Sequence, residues 1–139
     1  MTGDAQHDVV IVGASAAGCT AATLFGRAGL KVALIDRETN PTYYKKICNH
    51  FIQPFAVHAF DRLGISDAIE AAGGLRNGDI RVHTRWGWIH AQPDPKSRHQ
   101  PFGYNIRRMK LDPMLRNLAA STPNVEFMPG LTARELLKD

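Results

Sequence analysis

Asp8-Val-Val-Ile-Val-Gly-Ala-Ser-Ala-Ala-Gly18 is the stretch of the sequence that decides the fold. It begins with an apolar, β-branched run, which is typical of a parallel strand buried on both faces. A glycine-rich turn follows, and residues 16–28 then favour a helix that ends at Gly29. A second apolar run, residues 31–35, stops at Asp36. Residues 8–36 therefore predict a strand, a helix and a second strand.

The turn over residues 13–18 has the glycine spacing of a dinucleotide-binding fingerprint, in the strand-to-helix context that such a fingerprint needs. Gly13 permits the tight turn out of the strand, and Gly18 lets helix and strand pack closely. The amino terminus of the helix offers N–H groups and a positive dipole end to a pyrophosphate. Ser15 replaces the usual middle glycine, so its side chain must point away or donate a hydrogen bond to a phosphate oxygen. The residues expected to contact the cofactor here are Gly13, Ser15, Ala16, Ala17 and Gly18.

Asp36 places a carboxylate at the end of the second predicted strand. A carboxylate in this position accepts hydrogen bonds from both ribose hydroxyls and disfavours a 2′-phosphate. The pattern therefore predicts FAD or NAD as the ligand, while the neighbouring Arg37, a further expected cofactor contact, keeps NADP open. The alternative is a glycine-shaped turn in a domain that binds no nucleotide.

The rest of the chain predicts a domain of the same class. We expect the first helix to face the sheet with an apolar stripe formed by Ala17, Ala21, Leu24, Phe25 and Ala28. Further elements are predicted as helices over 54–63, 67–72 and 111–120, a hairpin over 79–91 and a strand over 125–128. The last residues resemble the start of another element. The fold predicted for residues 1–139 is α/β, a Rossmann-like FAD/NAD(P)-binding domain with a mainly parallel sheet and an inserted β-hairpin, and incomplete.

Composition and charge exclude several other classes. Lys and Arg exceed Asp and Glu by 17 to 13 but form no dense basic run, which argues against a nucleic-acid partner. Residues 1–8 contain no Lys or Arg, so no secretory signal is expected, and no uncharged span is long enough for a membrane helix. The chain has two cysteines, Cys19 and Cys48, which fits a reducing compartment. We therefore expect a cytoplasmic protein without a membrane span.

Three separated segments carry a resemblance to a known family. They are the fingerprint through Asp36, the stretch Lys46-Ile-Cys48-Asn-His50 with Gln53-Pro54 after it, and Arg108-Met-Lys-Leu111-Asp112-Pro-Met-Leu115. The chain resembles the amino-terminal part of the FAD-dependent oxidoreductases that include geranylgeranyl reductases, flavin-dependent halogenases and aromatic-ring hydroxylases. The resemblance implies that FAD is the cofactor and that Arg108 lies near its pyrophosphate, where a guanidinium can hold phosphate in a bidentate fork. The alternative is an exposed arginine that begins a helix.

Cys48 is the candidate catalytic residue. The resemblance implies that Lys46-Ile-Cys48-Asn49 lies close to the flavin, with Asn49 in place of a glycine and able to adopt its left-handed backbone. The alternative is a small buried side chain without a reactive role. Although His50 lies two residues from Cys48, no second ligand pair has zinc spacing, so no metal site is predicted. Trp86 and Trp88 are expected to pack against the sheet or, alternatively, to line a substrate pocket.

The sequence thus predicts an FAD-dependent redox enzyme, or its amino-terminal part, that binds the ADP portion of FAD. We expect a small-molecule substrate, NAD(P)H as a possible reductant, and association with a missing carboxy-terminal half or self-association. Two alternatives stay open. One is an NAD-dependent dehydrogenase subdomain, which does not explain the presence of the Cys48 and Arg108 segments. The other is a non-catalytic nucleotide-binding module.

Overall fold

The computed structural model describes residues 6–79, 81–90 and 96–137, which form two compact units. The first unit contains the chain up to Lys46 and from Met109 onward, and the second is Ile47–Arg108. Residues 80 and 91, at the ends of the predicted hairpin, and residues 1–5 lie outside the described residues. In chain order the elements are β1 (Val9–Val12), α1 (Ala16–Arg27), β2 (Val32–Asp36), β3 (Phe51–Ile52), α2 (Pro54–Leu63), α3 (Ser66–Ala71), β4 (Leu75–Asn77), β5 (Arg81–Thr84), β6 (Gly87–His90), β7 (Gly103–Asn105), α4 (Arg108–Ser121) and β8 (Val125–Pro129).

A parallel sheet organises the first unit, in the order β1-β2-β8. Val12 lies opposite Ile35 in the register of β1 and β2, and Asp36 lies opposite Pro129 in that of β2 and β8. The carboxyl ends of the three strands therefore meet at one edge, where ligands bind in open α/β sheets. Apolar β2 is central and buried, as its sequence predicts, and the predicted strand-helix-strand unit and parallel sheet are confirmed. The burial predicted for β1 on both faces is wrong, because Val10 and Val12 are exposed on one face.

Helix α1 buries a face of small residues, and the predicted apolar stripe is wrong. The buried positions are Cys19, Ala22, Thr23 and Gly26. Phe25, which was expected to face the sheet, is 42% exposed. The helix packs so closely that a Cβ on Gly26 would lie 2.6 Å from Cγ2 of Val125. Close packing requires small side chains on the buried face, and the three- and four-residue spacing of alanines does not distinguish the two faces.

The second unit contains two short helices. Pro54 occupies the first turn of α2, and Val57, Phe60 and Leu63 are buried, as predicted. Gly64 closes α2 in a left-handed conformation with a φ of +73°, which glycine adopts without steric cost. Helix α3 begins at Ser66, one residue before its predicted start.

A three-stranded antiparallel sheet, in the order β3-β7-β4, is an element that the sequence did not predict. The buried Tyr104 of β7 donates a hydrogen bond from its hydroxyl to Glu70 Oε1 at 2.8 Å. Arg76 of β4 donates to the same oxygen at 2.8 Å from Nε. The hydrogen bond from Tyr104 and, to a smaller extent, the one from Arg76 lower the pKa of Glu70. Burial raises the pKa of Tyr104. The carboxylate therefore links α3 to the small sheet.

The predicted hairpin is confirmed as β5 and β6, with Thr84 opposite Gly87. The packing predicted for the two tryptophans is wrong, because Trp86 is 81% and Trp88 is 63% exposed. Trp86 lies in the turn, where the Arg85 guanidinium stacks over its ring at 4.1 Å. The element expected at the end of the chain is also absent: described residues 131–137 form neither helix nor strand.

Candidate cofactor-binding site

The fingerprint turn follows β1 at the carboxyl edge of the parallel sheet. Gly13 has a φ of +104°, a backbone conformation that favours glycine, and its N–H donates to Ile35 O at 2.8 Å. Ser15 is the exposed residue immediately before α1, and Ala16 and Ala17 form the first turn of that helix. A Cβ on Gly18 would lie 1.9 Å from Gly13 O. Both glycines are therefore required by the geometry of the turn.

Asp36 lies beside this turn. Its Oδ2 accepts a hydrogen bond from the N–H of Ala14, and its Oδ1 accepts one from the N–H of Glu38 at 2.8 Å. Each carboxylate oxygen has a second lone pair with which to accept a further donor. The side chain is half-buried and the following Arg37 is exposed. The structure thus joins the predicted ribose acid directly to the predicted pyrophosphate turn.

Arg116 is a residue of the site that sequence analysis missed. It is 7% exposed, and Nε donates to Ala14 O at 3.3 Å. Its Nη atoms donate to Pro41 O and Tyr43 O. Arg108, Asp112 and Arg116 recur at four-residue steps along α4. That spacing places the three charged side chains on one helix face together with the buried Leu115 and Ala119. A charged series on a buried face is the signal that could have identified Arg116.

Asp112 is 3% exposed, and its Oδ2 accepts the N–H of Lys45 at 2.9 Å. Near these charges, Cys19 of α1 is 1% exposed. Burial raises the pKa of the Cys19 thiol to about 12, although Arg116 opposes the shift. Because the thiolate is the reactive form of cysteine, Cys19 is a packing residue in this unit.

In the second unit, Cys48, His50 and Arg108 form one cluster. Arg108 is 8% exposed, so it is not the exposed helix-starting arginine of the alternative interpretation. Its Nη1 donates to Cys48 Sγ at 3.6 Å, and its backbone N–H donates to His50 Nδ1 at 3.4 Å. Cys48 is half-buried rather than enclosed in a core. Two residues that the resemblance places near FAD, Arg108 at the pyrophosphate and Cys48 at the flavin, therefore contact each other.

The left-handed residue of this cluster differs from the prediction. His50, with a φ of +60°, adopts that conformation, whereas Asn49 does not. The N–H of His50 donates to Cys48 Sγ at 3.4 Å, and its carbonyl accepts the N–H of Ile106 at 3.0 Å. Asn49 instead accepts the N–H of Phe51 through Oδ1 at 3.2 Å. Its side chain thus stabilises the segment that precedes β3.

The residues of the first unit fit the ADP part of FAD. The positive φ of Gly13 and the lack of room for a Cβ at Gly18 are features of a turn that admits a pyrophosphate, and Asp36 provides ribose acceptors at the same edge. Within the described residues, no group of three or more His, Cys, Asp or Glu side chains is arranged to hold a metal ion. The helices described include none long and apolar enough to cross a membrane.

Fold and site together define a Rossmann-like dinucleotide-binding protein. The chain belongs to the FAD-binding domain family, whose model matches residues 6–139, and its cofactor is FAD. This finding confirms the flavoprotein family and the cofactor that the three sequence segments predict.

Curated relatives support the same family. A squalene epoxidase of Schizosaccharomyces pombe is 30% identical over 139 residues, covering 95% of this chain and 28% of the relative. A menaquinone reductase of Mycobacterium tuberculosis is 32% identical over 123 residues, covering 88% of this chain and 29% of the relative. The chain thus spans less than a third of the length of either relative.

A solved structure supports the fold. A flavoprotein/dehydrogenase from Cytophaga hutchinsonii superposes with a TM-score of 0.78 at 22% identity, covering 95% of this chain and 32% of the other.

Proposed function

We propose that the first unit binds the ADP part of FAD at the turn over residues 13–18. The observation that carries the proposal is the hydrogen bond between Asp36 and the N–H of Ala14, which places a ribose-binding carboxylate against the pyrophosphate turn. The N–H groups of Ala16 and Ala17 and the dipole of α1 face a negative ligand at the helix amino terminus. Gly13 and Gly18 allow the backbone to approach it, while Ser15 and Arg37 present exposed side chains at its border.

We further propose that Arg108 stabilises the FAD pyrophosphate and that Cys48 lies near the flavin or the substrate. Support comes from the burial of Arg108 and from its contact with Cys48. Cys48 is therefore the candidate catalytic residue, whereas the buried Cys19 is not.

The whole protein, in this proposal, is an FAD-dependent redox enzyme of the monooxygenase, reductase or halogenase type. Bound FAD supplies hydride or oxygen chemistry to a small-molecule substrate, and NAD(P)H is the proposed reductant. The protein's own residues bind and orient the cofactor. We propose a cytoplasmic location.

We also propose that residues 1–139 form the amino-terminal FAD-binding domain of a larger two-domain flavoenzyme. In the described residues, β1 is an edge strand of its sheet, although Rossmann-like sheets place the fingerprint strand centrally. Val10 and Val12 of β1 are 61% and 65% exposed. A parallel sheet is normally covered on both faces, and its edge strand favours pairing with another strand. The proposed partner is the carboxy-terminal half, with self-association as the alternative.

The proposed function is tested by the visible absorption spectrum of the purified protein after incubation with FAD and removal of unbound ligand. We expect a retained flavin spectrum and FAD binding in a calorimetric titration, with weaker binding of NAD in a parallel titration. A folded protein that retains no flavin contradicts the proposal, and preferential binding of NAD instead supports a dehydrogenase subdomain.

Replacing Arg108 by alanine is expected to weaken FAD binding by about 1–3 kcal/mol, because charged hydrogen bonds to phosphate are lost. Arg107 provides a matched control, since it is the exposed neighbour in the chain and carries the same charge. Arg107→Ala is expected to bind FAD like the wild type. Equal FAD dissociation constants for the two variants, measured by flavin fluorescence titration, would exclude a role of Arg108 in binding.

A further inference from the structure

Arg116 is a buried cation that joins two loops of the first unit. One loop is the fingerprint turn, in which Ala14 O accepts the hydrogen bond from Nε. The other follows β2, where Pro41 O accepts from Nη1 at 2.8 Å and Tyr43 O accepts from Nη2. Within the described part of the chain, these acceptors are backbone carbonyls and carry no net charge. The guanidinium therefore brings a buried positive charge to the backbone of the turn.

The contact with Ala14 fixes the direction of a peptide group. The peptide between Ala14 and Ser15 is trans, so its C=O and N–H point in opposite directions. Because the buried guanidinium holds Ala14 O, the N–H of Ser15 is directed to the opposite side of the peptide. Asp36 accepts the N–H of Ala14. Both polar backbone groups of Ala14 thus have fixed partners, and the turn is ordered before a ligand binds.

The contacts with Pro41 and Tyr43 extend this order to the segment that follows Asp36. One side chain therefore fixes the two segments that border the ADP part of FAD in the proposed function. Lysine has the same charge but a single donor nitrogen, so it cannot reproduce a planar fork that reaches three separated carbonyls.

We propose that Arg116 is a positioning residue for the pyrophosphate of FAD. It acts through the carbonyl of Ala14 and the loop over residues 41–43, and its charge attracts the phosphates without direct contact. This inference rests on the proposed function and extends it to a residue outside the fingerprint.

The test compares Arg116→Gln with Lys110→Gln, which removes the same charge from an exposed position of α4. Calorimetry measures the dissociation constants of FAD, ADP and adenosine. Arg116→Gln is expected to weaken FAD and ADP binding by about tenfold or more, because a charged group that orders the turn is lost. Adenosine, which has no phosphate, is expected to change by less than about threefold, and Arg116→Lys is expected to fall between wild type and Arg116→Gln. Lys110→Gln is expected to match the wild type.

The positioning role is overturned if the wild type binds FAD but Arg116→Gln has the same ratio of ADP affinity to adenosine affinity as the wild type. Failure of the wild type itself to bind FAD overturns the proposed function as well, so the two failures are distinguishable. If Arg116→Gln does not fold, hydrogen exchange of the Arg116 Nε–H is measured by NMR in the wild type. We expect slower exchange at saturating ADP, and an unchanged rate overturns the role.

Discussion

Gly18→Ala is expected to eliminate measurable FAD binding. The new Cβ would lie 1.9 Å from Gly13 O and 3.3 Å from Cγ2 of Ile11, so helix α1 or the turn must move. Overpacking of this kind costs about 1–3 kcal/mol or more. Either movement displaces the N–H groups that face the pyrophosphate, and FAD affinity falls together with stability. Flavin fluorescence titration and the thermal unfolding midpoint measure the two effects separately.

Gly26→Ala is the matched control, because it makes the same substitution near the other end of α1. Its Cβ would lie 2.6 Å from Cγ2 of Val125 and 2.7 Å from Pro123 O. We expect a lower unfolding midpoint with FAD affinity of the folded fraction close to that of the wild type. If Gly18→Ala retains wild-type affinity, the turn does not bind FAD; if Gly26→Ala loses affinity equally, the loss reflects stability alone.

The sequence predicts the first unit well because its signals are local. An apolar run, a glycine turn and Asp36 occur within residues 8–36, and the structure brings the same residues together at one sheet edge. Which face of α1 is buried was predicted wrongly, because burial there depends on the distance to Val125, a residue distant in the sequence. Arg116 was missed for the same reason, since its partners lie 73 to 102 positions away.

The second unit was predicted less completely. Strands β3, β4 and β7 contain two or three residues each, which is too short for an alternating pattern to be read. Their sheet is held by long-range pairs such as Leu75 with Asn105. The left-handed residue was placed at Asn49 on general preference, whereas contacts of His50 with Cys48 and Ile106 select His50. Tertiary contacts override local preference at these positions.

Asp36→Ala is expected to weaken FAD binding by about 100-fold. The substitution removes the acceptor of the Ala14 N–H, and a buried donor without an acceptor costs about 1–3 kcal/mol. Ala14 is 2% exposed, so water cannot readily replace the carboxylate. The ribose hydroxyls lose their proposed acceptor in the same step. Asp36→Asn retains a side-chain oxygen for the Ala14 N–H, so we expect an intermediate loss.

The charge of Asp36 is also expected to set the preference for ADP over its 2′-phosphorylated analogue. Competition of each nucleotide with FAD measures this preference. A carboxylate repels a 2′-phosphate, so the wild type is expected to prefer ADP, and Asp36→Asn is expected to reduce that preference. Asp8→Ala serves as the control, because Asp8 Oδ2 accepts the N–H of Lys31 at 2.8 Å, before the amino ends of β1 and β2. That variant should keep the preference for ADP. An equal preference in the wild type and Asp36→Asn would mean that Asp36 orders the turn through Ala14 without contacting the ribose.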